Sequence, residues 1–162
     1  MKRGLAALGG VALAGVVVVA VAMRSVGDDP AVWHVDPATA ARTGKPNDFL
    51  VAPEGMTAAR PDRIARTHSI PARELMFLLE SVARNAPRTR LIARSADGLW
   101  ATYVQRSPVL GFPDYISVKA VAVPGGSALV VWSRARFGYG DFGVNRSRIE
   151  DWLDRIGEAG PG

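Results

Sequence analysis

The sequence of 162 residues contains no cysteine. This absence excludes disulfide bonds, thiolate metal sites, a cysteine nucleophile and a lipid-modified N-terminal cysteine. Histidine is also scarce, since His34 and His68 are the only two, and neither has a histidine or glutamate partner at metal-ligand spacing. The sequence therefore predicts no metal site.

The common signatures of catalysis are missing as well. The chain has no Gly-x-Ser-x-Gly nucleophile elbow, no phosphate-binding loop and no dinucleotide fingerprint. Ser69 follows His68 directly, and neighbours on a strand point to opposite faces, so these two residues do not form a catalytic pair. We expect no cofactor, and a non-catalytic role is favoured over an enzymatic one.

What the chain does contain is enough apolar material to fold. Hydrophobic residues make up 48% and charged residues 22%, which excludes wholesale disorder. The 20 lysines and arginines exceed the 15 acidic residues by only 5, and the two kinds are mixed along the chain. This balance gives no indication of nucleic-acid binding. The length suits one domain with some additional residues.

The N-terminal residues predict the cellular compartment in which the domain lies. Lys2 and Arg3 precede Leu5–Met23, a run of nineteen residues without charge. At about 1.5 Å per residue, a helix of this length spans roughly 28 Å, close to the ~30 Å hydrocarbon core of a bilayer. The leading positive charges favour a cytoplasmic N-terminus and a translocated remainder. We therefore expect a single-pass membrane anchor with the C-terminal domain outside the cytoplasm.

A cleaved export signal is the alternative interpretation. Ala20-Val21-Ala22 matches the small-residue pattern that precedes a cleavage site, here after Ala22, and the basic start suits a signal. The apolar run is longer than the roughly seven to fifteen residues usual in such signals, which favours the anchor. Both interpretations export the domain.

The remaining chain divides into a tether, a folded domain and a tail. Five prolines between positions 30 and 61 interrupt any helical or strand periodicity, which predicts an extended segment. The four segments, from anchor or signal to tail, are residues 1–24, 25–62, 63–157 and 158–162. The expected contacts of the tether with the domain surface are Trp33, Val35, Phe49 and Val51.

The pattern within residues 63–157 predicts an α+β two-layer sandwich with the order β-α-β-β-β-β-α. Asp97-Gly98 and Pro124-Gly125-Gly126 mark two hairpins, which imply antiparallel pairing. Two one-sided helices need a sheet face to cover, so we expect a mostly antiparallel sheet of four to five strands. The expected strands are Ile64–Ile70, Arg88–Ser95, Leu99–Arg106, Tyr115–Val123 and Ser127–Arg136.

The two helices are expected to bury one face each. Ser69 is a candidate cap for the first helix, which begins near Pro71. Its apolar positions recur with helical spacing at Leu75, Leu78, Leu79 and Val82. The last helix has apolar positions at Ile149, Trp152, Leu153 and Ile156.

Two stretches carry a resemblance to a known family. They are Thr102–Ser107 continuing into Gly111–Lys119, and Ser133–Arg146 continuing through Arg148. Over about residues 60–156, the chain resembles the bacterial family catalogued as domain of unknown function 1499. The resemblance implies a small, often membrane-anchored or exported protein without an established activity. Many members have a Pro-Asn-Cys segment upstream, whereas Asp48 follows Pro46-Asn47 here, so any role of that cysteine is absent.

The segment around the last expected strand contains the best candidates for ligand binding. Trp132, Arg134 and Arg136 share one strand face, and a loop with three glycines leads to the last helix. Arginines beside the partly positive N-terminus of a helix can receive a carboxylate, a phosphate or a lipid headgroup. The candidate ligand-binding residues are Arg134, Arg136, Tyr139, Asp141, Asn145 and Arg146.

Two other interpretations use some of the same residues. In a structural one, Asp141 caps the loop or pairs with Arg136, and Asn145 caps the helix. In a catalytic one, Asp114 and Asp141 are the acid and base of an envelope hydrolase, which for glycoside chemistry requires a separation of about 5 to 9.5 Å. The sequence leaves both open.

These observations favour a non-catalytic binding or envelope-maintenance module on a bacterial cytoplasmic membrane. It would recognise an anionic ligand, a lipid headgroup or a partner protein. The expected partners are the bilayer, through Leu5–Met23, and an anionic lipid or an envelope protein. Nucleic acid is not expected, because export removes the domain from the cytoplasm.

Overall fold

A computed structural model describes residues 2–39, 41, 42 and 44–158, and within these ranges the side chains from Ala14 to Gly157. Most of the expected tail, residues 159–162, lies outside the described residues. The helices are α1 (Lys2–Ser25), α2 (Pro30–Trp33), α3 (Ala72–Asn85) and α4 (Val144–Leu153), the last followed by a π-helical turn (Asp154–Glu158). The strands are β1 (Asp48–Ala52), β2 (Arg63–Ile64), β3 (Thr89–Arg94), β4 (Trp100–Arg106), β5 (Pro113–Val123) and β6 (Gly126–Ala135).

One six-stranded sheet organises the domain, in the order β2-β1-β6-β5-β4-β3. Neighbouring strands are antiparallel except β1 and β2, which are parallel. The hairpins expected at Asp97-Gly98 and Pro124-Gly125-Gly126 are present, and the second brings β6 beside His68. A Cβ on Gly126 would lie 1.9 Å from the His68 carbonyl oxygen, so only glycine fits this turn. The α+β class and the mostly antiparallel pairing are confirmed.

Helices α3 and α4 pack on one face of the sheet. Ile149, Trp152 and Leu153 of α4 are buried there, as their spacing predicts. In α3 the buried face is rotated relative to the prediction, because Leu78 is exposed while Met76 and Ala83 are buried. The predicted cap at Ser69 is wrong, because Pro71 occupies the cap position and makes no side-chain hydrogen bond to the helix.

The strand count also differs from the prediction, with six strands in place of four to five. The additional strand, β1, lies in the segment expected to be an extended tether. Its apolar residues Phe49–Ala52 are buried on both faces of the sheet, so they show no alternation, and prolines flank the strand on either side. The expected first strand, Ile64–Ile70, is reduced to β2 and an isolated bridge between His68 and Ser127.

Residues Lys2–Ser25 form the continuous helix α1. Among the described residues, no helix combines the length and the apolar character needed to cross a membrane. The anchor expected from Leu5–Met23 therefore stays a prediction.

The contribution of β1 to stability can be measured at Leu50, which is buried with Ala52, Val130 and Trp132 on the sheet face away from α3 and α4. Leu50→Ala should lower the free energy of unfolding by about 2–5 kcal/mol, because it leaves a cavity. Urea denaturation of the full chain in detergent, followed by tryptophan fluorescence, gives this value. The control is Val32→Ala on α2, where the side chain is 57% exposed and the change should stay within about 0.5 kcal/mol. Equal stability of the two variants would show that β1 is not part of the core.

Candidate functional site

The sheet face opposite α3 and α4 carries polar and aromatic side chains. The strand register aligns Thr102, Ser117 and Trp132 across β4, β5 and β6, with Tyr115 and Arg134 in the next row. The hydroxyls of Thr102 and Ser117 are 3.2 Å apart. Residues 26–36, called here the linker segment, cover this face. This polar face of the sheet is therefore covered by another segment of the same chain.

Arg134 is the most buried cation of this face. Its guanidinium donates to the Ser117 hydroxyl (3.1 Å) and to the Trp33 carbonyl (2.9 Å), and it stacks 4.1 Å from the centroid of the Trp132 ring. Burial lowers the pKa of Arg134 to about 10, because the charged form loses its hydration. Among the described residues, no carboxylate forms an ion pair with it. Its partners are a carbonyl, a hydroxyl and an aromatic ring.

Arg136 makes the same kind of contact closer to the surface. It donates to the Gly27 carbonyl (2.9 Å) and to the Tyr115 hydroxyl (3.1 Å), and lies 5.1 Å from the centroid of the Trp33 ring. The Trp33 ring in turn stacks on Tyr115, with centroids 3.8 Å apart. The two arginines predicted to receive an external anion thus bind carbonyls of the linker segment.

Asp28 accepts hydrogen bonds from side chains of three strands. Its carboxylate accepts from Arg106 (2.8 Å), Arg90 (2.7 Å) and the Tyr115 hydroxyl (2.9 Å). Arg106 also donates to the carbonyls of Met23 (2.6 Å) and Val26 (2.9 Å). Burial alone would raise the pKa of Asp28, but the hydrogen bonds from Arg106, Tyr115 and Arg90 outweigh this effect and lower it below its usual 3.8.

These donors act together on one segment. We call them the clamp, which consists of Arg90, Arg106, Tyr115, Arg134 and Arg136. Outside the clamp, His34 stacks on Trp100 with ring centroids 3.8 Å apart, and its Nδ1 lies 2.9 Å from the Thr102 hydroxyl. The chain that leaves α1 is therefore joined to the sheet along most of the linker segment.

The other sequence-predicted residues lie elsewhere. Tyr139 is 74% exposed, and Arg146 pairs on the surface with Glu150 (2.9 Å). The Asp141 carboxylate accepts from the amide nitrogens of Gly143 and Asn145, both at 2.9 Å, and so caps α4. Asn145 is not the cap, because it is the second residue of α4 and its side chain is buried. The six candidates therefore do not converge on one site.

A buried network not predicted from the sequence adjoins Asn145. Arg148 donates to Asp114 (2.6 Å), Ser133 (2.8 Å) and Asn145 (2.6 Å), and its side chain is almost inaccessible. Burial raises the pKa of Asp114, although the charge of Arg148 opposes that effect. Asn145 and Arg148 lie at helical spacing with the buried Ile149, and this position on the buried face of α4 was the available signal.

A cleft of about 440 Å³ opens beside this network. Its apolar lining includes Phe112, Phe137 and Phe142, and both Asp114 and Asp141 border it. The two carboxylates proposed as an acid and base thus share one cleft. One is paired with Arg148 and the other is bonded to the amides of α4, so both are held by groups of the fold.

Comparisons with known proteins agree with the sequence resemblance. The model of the family described as Protein of unknown function (DUF1499) matches residues 38–156. No curated protein matches the chain. A solved structure of a putative uncharacterized protein from Rhizobium leguminosarum aligns at 16% identity with a TM-score of 0.34, over 67% of this chain and 90% of that one.

The lowered pKa of Asp28 predicts a pH dependence. The folded chain binds fewer protons at Asp28 than the unfolded chain, so this carboxylate stabilises the fold above its unfolded pKa, and the contribution is lost as the pH falls through the folded pKa. Asp28→Asn should therefore be less stable than the original chain at pH 7 and lose less stability below about pH 4. Urea denaturation as a function of pH measures both effects.

The matched control is Asp151→Asn, which removes an exposed carboxylate paired with Arg155. It should follow the original chain at every pH. If the stability of Asp28→Asn had the same pH dependence as that of the original chain, the clamp would not depend on this carboxylate.

Proposed function

Because this chain belongs to the DUF1499 family of unknown function, we propose its role from its residues and geometry. The protein is a non-catalytic binding module of the bacterial cell envelope, held by α1 at the outer face of the cytoplasmic membrane. The clamp fixes the domain to the end of α1, and the cleft beside Asp114 receives an amphiphilic ligand such as a lipid. The observation that carries this proposal is the clamp.

The anchor rests on the N-terminal sequence. Leu5–Met23 carries no charge and has the length of a bilayer-spanning helix, and Lys2 and Arg3 lie on its N-terminal side. Cleavage after Ala22 would still export the domain, with the clamp holding the new N-terminus. Membrane attachment therefore distinguishes the two forms.

The clamp supports a mounted domain, that is, a domain held in a fixed position at the end of α1, rather than a domain on a flexible tether. A flexible tether leaves its backbone to water, but the carbonyls of Met23, Val26 and Gly27 accept from arginines of the sheet. Hydrogen bonds that involve a charged group contribute about 1.5–3 kcal/mol each to stability. Several of them along the segment therefore hold it firmly on the domain. The domain would then keep one orientation relative to the membrane.

The cleft is the better candidate for recognition, since the arginines of the clamp already have partners. Phenylalanine side chains line it, and Asp114, which is paired with Arg148, lies at its edge. Such a site suits a ligand with an apolar part and a polar head. The hydrogen bonds that Asp114 and Asp141 already make favour binding over acid–base catalysis.

The orientation can be tested by fusion of alkaline phosphatase after Gly157. We expect an active fusion, because the enzyme requires export and the charge bias places the C-terminus outside the cytoplasm. Alkaline extraction of membranes then separates an anchored chain from a cleaved one. A silent fusion, together with an active cytoplasmic reporter at the same site, would contradict the proposed topology.

The clamp can be tested at Arg106 with a spin label, since the chain has no cysteine of its own. A nitroxide on Val32→Cys reports the mobility of the linker segment. Arg106→Ala should make the label more mobile, because Asp28 and two carbonyls lose a donor. Arg155→Ala, which removes an exposed pair on α4, is the control and should leave the spectrum unchanged. Equal mobility in both variants would argue against a mounted domain.

A further inference from the structure

Large apolar side chains are exposed on two neighbouring loops. Phe142 is fully exposed, Tyr139 is 74% exposed and Val109 is 68% exposed, with Phe137 and Val144 partly exposed beside them. We call these five residues the loop patch. Scattered apolar residues are normal on a protein surface, but a contiguous group of this kind marks a contact with a partner or a membrane.

The two loops meet at the cleft. Ser107 and Phe112 line one side and residues from Phe137 to Val144 line the other, and Phe112 meets Phe137 edge to face with centroids 6.2 Å apart. Phe142 has φ +55, which side chains with a Cβ rarely adopt. The amides that follow it are bonded to Asp141, so this backbone holds the phenyl ring out in solvent.

The end of α1 touches the first of these loops, which contains Val109 and Gly111. Arg24 donates to the Val109 carbonyl (2.9 Å), and Arg106 donates to the carbonyls of both Met23 (2.6 Å) and Gly111 (3.2 Å). Even a Cβ on Gly111 would come within 2.7 Å of the Arg24 side chain. The loop that carries Val109 therefore lies beside the C-terminal end of α1, where Arg106 of the clamp bonds to both, and the second loop follows across the cleft.

We propose that the loop patch inserts into the headgroup region of the bilayer that anchors α1. The inference rests on the proposed function, because α1 must be in the membrane for the loops beside its end to reach the lipid. Aromatic side chains favour this region, since their rings sit among the headgroups and the upper acyl chains. The domain then contacts the membrane at two places, the helix and the loops.

The bilayer is favoured over a protein partner by the position of the patch. A protein could bind any exposed apolar surface, but this one adjoins the residue at which the uncharged run of α1 ends. Arg24, in contact with Val109, adds a positive charge where anionic headgroups would lie. Contact with a protein or with a second copy of this chain becomes an outcome of the test.

The experiment uses the full chain in vesicles of phosphatidylethanolamine and phosphatidylglycerol. Phe142→Cys carries an environment-sensitive fluorophore on an otherwise cysteine-free chain. The control is Phe77→Cys on α3, a phenylalanine that is 69% exposed and lies outside the loop patch. We expect the Phe142 label to shift to the blue and to be quenched by nitroxide lipids, while the Phe77 label is quenched by iodide in water.

The outcomes separate the two proposals. Release of the whole chain from the vesicles at alkaline pH would overturn the anchor and this inference with it. Retention of the chain with a Phe142 label quenched by iodide would overturn the loop patch alone. A blue shift that is insensitive to nitroxide lipids but lost on dilution of the protein would assign the patch to a second copy of the chain, and would also overturn the inference.

Discussion

One guanidinium joins the N-terminal helix to the sheet. Arg106, at the end of β4, reaches the carbonyls of Met23 and Val26 and the carboxylate of Asp28. Asp28 is held at the same time by Arg90 and Tyr115, so the strands β3, β4 and β5 all act on this residue. The cover of the second sheet face, and the position of the loops beside α1, both depend on this junction. Without Arg106, Val26 and Asp28 at the start of the linker segment would each lose a donor that joins them to the sheet.

Two buried arginines in this domain are stabilised in different ways. Arg148 pairs with the carboxylate of Asp114, and its other donors bond to Ser133, Asn145 and Gln105. Arg134 has no carboxylate among the described residues, and its charge is offset by a carbonyl, a hydroxyl and the face of Trp132. Loss of the Trp33 carbonyl would leave this buried charge with only the Ser117 hydroxyl and the Trp132 ring, which is unfavourable because a buried cation depends on its few polar partners. This is a physical reason for Trp33 to remain in place.

The sequence predicts the local features well, because hairpins and helix faces depend on neighbours along the chain. Asp97-Gly98 specifies its turn, and Trp152 lies on the face that its spacing indicates. Strand β1 escapes prediction because a strand buried on both faces has no alternation to reveal it. The arginines lie on the expected strand face, but their acceptors at Trp33 and Gly27 are 101 and 109 positions earlier in the chain. No residue pattern encodes a bond to a distant carbonyl.

Because several of these hydrogen bonds end on main-chain carbonyls, the arrangement depends little on which side chains the linker segment carries. Val26 and Gly27 are held through main-chain oxygens that every residue type provides, so the identity of their side chains matters little to the bonds. Asp28 is different, since its side chain is the acceptor for three donors. The position of the linker segment on the domain therefore depends mostly on Arg106 and Arg134, which lie on strands, and on Arg136, which directly follows β6. The same strands end in the loops that carry Val109 and Phe142, and this shared origin couples the direction of those loops to the direction of α1.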